Sequence, residues 1–238
     1  MKAFILAAGK GTRLKPLTDQ RPKALLEVGK LTMLERAIIK LKGEGFTDIV
    51  INVHHLAQQI IDFVQSKKWD GVRILISDET ERLLDTGGAL KKAWPLFENQ
   101  PVLIYNVDVA TAINLRDILK AHKASGAIAT LAVSKRKSSR YLLFDEALLL
   151  CGIKNNTENF EDIRRHSDKF IEMAFSGIHI ANPELVHYFP ENEVFSIWEV
   201  YLKACISLPV KGFDHTGTFW IDLGKPEDLK KFDDMFGI

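Results

Sequence analysis

The sequence predicts an α/β fold built on a doubly wound, mostly parallel sheet, and three observations carry that prediction. Short apolar or β-branched runs alternate with helical stretches from the first residues to about position 133. The first run, Ala-Phe-Ile-Leu-Ala at 3–7, is apolar at every position, as a strand buried on both faces requires. At 238 residues and 46% apolar content the chain can bury a substantial core, as one large α/β domain. Repeated strand-then-helix units favour parallel pairing, because the crossover helix packs back onto the sheet.

The elements follow in order. After the strand at 3–7, Leu34, Ala37, Ile38 and Leu41 recur at helical spacing, and the Gly43 to Gly45 stretch stops that helix. A β-branched run at 48–53 predicts a strand, 56–64 a helix, and 72–76 another strand. Residues 86–97 begin with two glycines and end around Pro95, which predicts a short helix. A strand at 101–107 ends at Asp108, a helix covers 115–123, and a strand covers 127–133. Residues 134–169 alternate short apolar pieces with polar stretches, which predicts an insertion of small antiparallel strands serving as a lid or side wall. Regular structure returns at 170–180, with helices after Pro183 and at 197–206, a strand at 219–223 and an amphipathic helix at 226–236. No linker divides the chain, so residues 1–238 read as one domain.

Composition narrows the function classes. A net charge of +1 with 26% charged residues lacks the basic excess of a nucleic-acid binder. The cluster Lys135-Arg136-Lys137 reads as a solvated loop, and no segment is long and apolar enough to span a membrane. The two cysteines, Cys151 and Cys205, match no metal-ligand spacing and read as free thiols, so the expected location is cytoplasmic. His54 and His55 are neighbours on one strand, point to opposite faces, and read as structural.

The segment with the densest chemistry is Leu6-Ala7-Ala8-Gly9-Lys10-Gly11-Thr12-Arg13-Leu14-Lys15-Pro16-Leu17-Thr18, followed by Pro22-Lys23. It is a buried strand running into a glycine loop and then into cations. Glycine lets backbone approach a ligand, and successive amides cradle anions. Ala7 and Ala8 leave room for a flat group, while Arg13 and Lys23 supply charge for a polyphosphate. Two generic phosphate motifs fail. A P-loop needs Ser or Thr after Lys10, where Gly11 stands, and the dinucleotide fingerprint needs glycine where Leu14 stands. In parallel sheets ligands sit beyond the carboxyl ends of the strands, which places Ala7-Ala8-Gly9 and Asp108 on one edge.

The whole string closely resembles the signature of the sugar-phosphate nucleotidylyltransferases, matching every fixed position from Leu6 to Thr18 and again at Pro22-Lys23. Further segments resemble the same family: Thr86-Gly87-Gly88, Asp108 at a strand end, Ser176-Gly177-Ile178, and Trp220-Ile-Asp222-Leu-Gly224-Lys-Pro-Glu-Asp-Leu. The short form is most similar to the N-acetylmuramate 1-phosphate uridylyltransferase and mannose-1-phosphate guanylyltransferase branch. The resemblance implies a Rossmann-like sheet of the nucleotide-diphospho-sugar transferase type. It implies Mg²⁺ on Asp108 and Asp222, and a nucleoside triphosphate and a sugar 1-phosphate as substrates. Leu6, Ala7, Ala8, Gly9, Gly11, Thr12, Thr86, Gly87 and Gly88 would bind nucleotide. Asn106, Ser176 and Gly177 would bind the sugar phosphate, with Arg13 and Lys23 catalytic.

The sequence also departs from the family. Val107 stands where glycine is common and crowds the nucleotide's approach, and Lys30 and Thr32 replace loop residues. No glutamine precedes the glycine turn, which leaves Ser77 to Arg82 to meet the base. Two rival readings use the same fold. A phosphocholine cytidylyltransferase would line its pocket with aromatics, for which Phe175, Phe195, Trp198 and Trp220 are available. A non-catalytic nucleotide-binding module would lack Arg13, Lys23 or a metal carboxylate, and all are present.

Overall fold

In the computed structural model, which describes residues 2–236, β1 (Lys2–Leu6) lies inside the sheet between two parallel neighbours. Ala3 and Ile5 pack into the core on one face and Phe4 into the core on the other, so the all-apolar run does serve two faces. A hairpin of β2 (Glu27–Val28) and β3 (Leu31–Thr32) follows, and leads into α1 (Met33–Gly43). Thr32 is the N-cap of that helix: its hydroxyl accepts from the Glu35 amide at 3.1 Å, which gives the departure at position 32 a helix-starting role.

β4 (Asp48–Val53), α2 (Ala57–Ser66), β5 (Arg73–Asp78), α3 (Asp85–Ala93) and β6 (Val102–Asn106) complete the parallel half. β7 (Val109–Thr111), α4 (Leu115–Ser125) and β8 (Ala129–Ser134) follow. Asn114 caps the start of α4 through the Arg116 amide, and Gly126, at φ 61°, ends it. The remaining elements are β9 (Arg140–Phe144), β10 (Leu150–Asn155), β11 (Phe160–Ile163), β12 (Ile171–Ala181), α5 (Ile197–Ala204), β13 (Val210–Asp214), β14 (Trp220–Asp222) and α6 (Pro226–Phe236).

The strand order is β11-β10-β9-β12-β6-β1-β4-β5, with β8 joined to β12 and β13 to β8, ten strands in one sheet. The stretch β6-β1-β4-β5 is parallel throughout, and β12 runs antiparallel to β6. The doubly wound α/β expectation therefore holds. Two details differ from it. The strands of the 134–169 region do not stand apart from the sheet but extend it, because β9 pairs with the first residues of β12. The helix expected after Pro183 is a six-residue 3₁₀ segment, Pro183–Tyr188.

Register matters most for function. Leu6 stands opposite Asn52 on one side and Asn106 on the other, and Asn52 stands opposite Ser77. The carboxyl ends of four parallel strands are thereby level, and the loops leaving them share one edge.

Candidate active site

A cleft of about 440 Å³ opens at that edge, within the range typical of small-molecule sites. Leu6, Ala7, Ala8 and Gly9 form one wall, and Glu79, Leu83, Asp85, Thr86 and Val194 form the opposite one. Asn52 lies between them, and Asn106, Val107, Asp108 and Lys23 close the end.

The loop after β1 is shaped by glycine. Gly11 has φ 63°, and a Cβ there would stand 2.8 Å from Thr18 Cγ2 and 2.9 Å from Lys23 Cβ. The Thr18 hydroxyl donates to the Gly11 carbonyl at 2.9 Å, folding the loop back so that Lys23 reaches the cleft. Thr12 begins a 3₁₀ turn, Thr12–Leu14, that leaves Arg13 exposed while Leu14 is buried. His55 contacts the Thr18 carbonyl at 3.3 Å and His54 the Glu79 carbonyl at 2.7 Å, so both histidines are structural, although they lie just past the end of β4 rather than on a strand.

Asp108 occupies a two-residue turn between β6 and β7. The buried Tyr105 hydroxyl donates to the Val109 carbonyl at 2.8 Å, and the Leu223 amide donates to the Asp108 carbonyl at 2.8 Å. Asp222 stands opposite Val109 in the antiparallel β7–β14 ladder, which brings it beside Asp108. Burial and the Asp108 charge together push the Asp222 carboxyl above the usual carboxylate range. Lys23 pairs with Asp108, and Arg13 Nη2 lies 3.9 Å from Asp222 Oδ2. Two neighbouring carboxylates, each facing one cation, suit a divalent ion that completes its shell with substrate phosphates. Among the described residues no cluster of three or more His, Cys, Asp or Glu side chains could hold a metal by itself.

Gly224 belongs to this arrangement. Its amide donates to Asp222 Oδ1 at 2.8 Å, and a Cβ there would fall 2.5 Å from Arg13 Nη2 and 2.7 Å from Asp222 Oδ1. The backbone can accept alanine here, since the nearest atoms are side-chain ends. Gly224→Ala is therefore expected to keep the melting temperature within a few degrees while lowering kcat/KM by about tenfold or more, through displacement of Arg13. Steady-state kinetics beside a thermal melt checks it.

Comparison with known proteins gives the family. The family model described as nucleotidyl transferase matches residues 2–146, more than half of the chain. The N-acetylmuramate alpha-1-phosphate uridylyltransferase of Neisseria meningitidis is 32% identical over 246 residues, covering 100% of this chain and 99% of that protein. The chain is a sugar-phosphate nucleotidyl transferase by family. The mannose-1-phosphate guanyltransferase of Pichia angusta is 34% identical over 96% of this chain, which spans 62% of that protein. Among solved structures, HddC from Yersinia pseudotuberculosis has a TM-score of 0.80 at 21% identity, covering 99% of both chains, which speaks for the fold.

In this nucleotidyl transferase the expected residues divide between the cleft and the segments that support it. Leu6, Ala7, Ala8, Gly9, Thr86, Asn106, Asp108 and Lys23 line the cleft, Gly11 shapes the loop beside it, Arg13 and Asp222 pair next to Asp108, and Thr12 is exposed at the start of the 3₁₀ turn, outside the lining. Gly177 supports Asn106 from behind: it has φ 73°, and a Cβ would come within 3.0 Å of Asn106 Nδ2. Ser176, Gly87 and Gly88 depart from the expectation. Ser176 is fully buried, with its hydroxyl 2.7 Å from His215 Nε2, so it holds the wall rather than a ligand. Gly87 and Gly88 lie inside α3, and both amides donate to the Phe195 carbonyl, at 3.0 and 3.2 Å. A Cβ on Gly88 would stand 2.0 Å from the Glu193 carbonyl oxygen. These glycines let α3 press against the 193–195 segment, and only Thr86 of the three faces the cleft.

Arg136 also corrects an expectation. It is half-buried rather than solvated, with its guanidinium 3.9 Å from the Trp220 ring centre and donating to the Phe175 carbonyl at 2.5 Å. None of the four aromatics that a quaternary ammonium would need lines the cleft. Phe175 meets Trp198 edge-on, Phe195 covers Gly87, and Arg136 already covers Trp220. Cys151 and Cys205 are buried free thiols, and burial pushes the Cys205 thiol up to about 11. No helix among the described residues is long and apolar enough to cross a membrane. Sequence reasoning missed Asn52 and Asp85, named Gly224 only as part of the segment around Asp222, and named Glu79 only within a six-residue stretch. Asn52 and Glu79 sit at the carboxyl ends of β4 and β5, where the rule applied to Ala7 and Asp108 would have found them.

Proposed function

We propose that this transferase joins a sugar 1-phosphate to a nucleoside triphosphate, giving a nucleotide-sugar and pyrophosphate, and that Mg²⁺ serves both Asp108 and Asp222. The observation that carries this reading is the convergence of Asp108, Asp222, Lys23 and Arg13 at the end of a cleft with small, apolar-lined walls. Ala7 and Ala8 on one side and Leu83, Thr86 and Val194 on the other leave a slot for a flat base.

Joining two polyanions asks the protein for alignment and charge neutralisation more than for covalent chemistry. When bound, the metal supplies charge that draws the phosphates together and offsets the negative charge building at the α-phosphorus. Lys23, beside Asp108 in the cleft, holds the acceptor's phosphate against the α-phosphorus. Arg13, beside Asp222 and more than half exposed, binds the β- and γ-phosphates and stabilises charge as pyrophosphate departs. The attacking oxygen belongs to a phosphate already ionised at neutral pH, so no general base is required, and no residue in the cleft acts as a covalent nucleophile. Asn106, braced by Gly177, faces the acceptor sugar. Pyrophosphate release that requires both substrates and Mg²⁺ tests the reading.

A further inference from the structure

One hydrogen-bonded chain crosses the floor of the cleft and ties its two walls together. At the end of β1, the Ala7 and Ala8 amides both donate to Asn52 Oδ1, at 2.6 and 3.3 Å. Asn52 Nδ2 donates in turn to Glu79 Oε1 at 2.8 Å, and the Leu84 amide, one residue before α3, lies 3.4 Å from Glu79 Oε2. Asn52 and Glu79 are almost wholly buried, at 2% and 1% exposure, yet both line the cleft. Burying a carboxylate is costly, and burial does push the Glu79 carboxyl above its usual range. Neither side chain is hydrogen-bonded to Lys23 or Asp108 at the end of the cleft. Asp85, next after Leu84, has φ 59°, a conformation disfavoured for a side-chain-bearing residue, so the wall that Glu79 holds is backbone set away from its relaxed form.

We propose that Asn52 and Glu79 are a positioning pair for the nucleotide: together they set the spacing between the Ala7-Ala8 wall and the Leu84-Thr86 wall. The inference rests on the reading of this cleft as the triphosphate site. Because Asn52 occupies the Ala7 and Ala8 amides, the phosphate-facing backbone of the loop begins at Gly9. The pair acts on binding of the base and ribose and leaves the metal end untouched, so its loss raises the KM for the triphosphate with little change in kcat.

The polarity of the pair supplies the test. Asn52→Asp keeps the acceptor for Ala7 and Ala8 but sets a carboxylate against Glu79. Adding Glu79→Gln restores a donor between them: the introduced amide gives its N–H to the introduced carboxylate, and its carbonyl accepts from the Leu84 amide. Using whichever of UTP, GTP, CTP or dTTP the wild type turns over fastest, Asn52→Asp is expected to raise the triphosphate KM by about tenfold or more. Acceptor KM and kcat should stay within about threefold, and the double variant should return the triphosphate KM close to wild type. An unchanged triphosphate KM in Asn52→Asp, an equal loss in both substrates, or no rescue in the double variant would each overturn the pair. Should Asn52→Asp not fold, calorimetric binding of the same four triphosphates to Glu79→Gln decides, and wild-type affinity there overturns the proposal. A wild-type protein that binds triphosphate but releases no pyrophosphate refutes the transferase reading alone, and the calorimetric comparison then judges the pair. A wild type that binds no triphosphate removes both.

Discussion

Asp108→Ala and Asp222→Ala should each lower pyrophosphate release by about a thousandfold or more, the scale expected when a metal's several kcal/mol of charge stabilisation is lost. The two side chains share one task although they arrive from different parts of the chain. The turn at 107–108 and β14 are locked by the Leu223 amide bonded to the Asp108 carbonyl, so neither carboxylate can move without the other's strand. At Asp222, stability should change in the opposite sense. The raised carboxyl of Asp222 means that the folded, metal-free protein holds this group's negative charge less readily than the unfolded chain does. At neutral pH that charge weighs against folding, and the penalty fades as pH falls through the group's raised folded-state value. Asp222→Asn should therefore raise the melting temperature in EDTA and remove the gain that Mg²⁺ gives the wild type. A melt series with and without Mg²⁺ checks both halves, and a lower melting temperature for Asp222→Asn in EDTA would contradict the account of the paired charges.

Arg13→Ala should cost about a hundredfold in kcat with the fold unchanged, comparable to removing one preorganised donor from a developing charge. Its side chain is 54% exposed and its nearest carboxylate is 3.9 Å away, so the folded state gains little from it. Arg13→Lys should recover only part of the loss, because an ammonium cannot match the planar fork of a guanidinium on phosphate oxygens. Lys23 differs. It is largely buried against Asp108, and its removal leaves that carboxylate unpaired, so Lys23→Ala should lower the melting temperature as well as the rate. Single-turnover rates and melts on the three variants separate these roles. Equal melting losses in the Arg13 and Lys23 variants would merge two functions assigned here to different residues.

Much of the fold was legible because the parallel half obeys local rules. The run at 3–7 had to be a strand buried on both faces, and Ala3 and Ile5 do face one core while Phe4 faces the other. The N-terminal loop was legible for a related reason: Gly11 is required by backbone conformation and by contact with Thr18 and Lys23, so its place in the string carries geometry. What stayed hidden depends on distant parts of the chain. Gly87 and Gly88 look like ligand-facing glycines until Phe195 and Glu193, more than a hundred residues later, are seen to press on them. Arg136 sits in a basic run that looks solvated, and only the return of the chain at Trp220 gives it a surface to lie on. The 134–169 region reads as small antiparallel strands, yet nothing local shows that the start of β12 joins them to the sheet. Asn52 is one polar residue among the apolar residues of 49–53, and its importance appears only when Ala7, Ala8 and Glu79 converge on it.

The most direct test of the central claim is a panel of UTP, GTP, CTP and dTTP against sugar 1-phosphates, with pyrophosphate release followed in Mg²⁺ and in EDTA. At least one pair should release pyrophosphate and form the matching nucleotide-sugar, only when both substrates and Mg²⁺ are present. Release from a triphosphate alone, release in EDTA at the Mg²⁺ rate, or no release with any pair would contradict the transferase site described for Arg13, Lys23, Asp108 and Asp222.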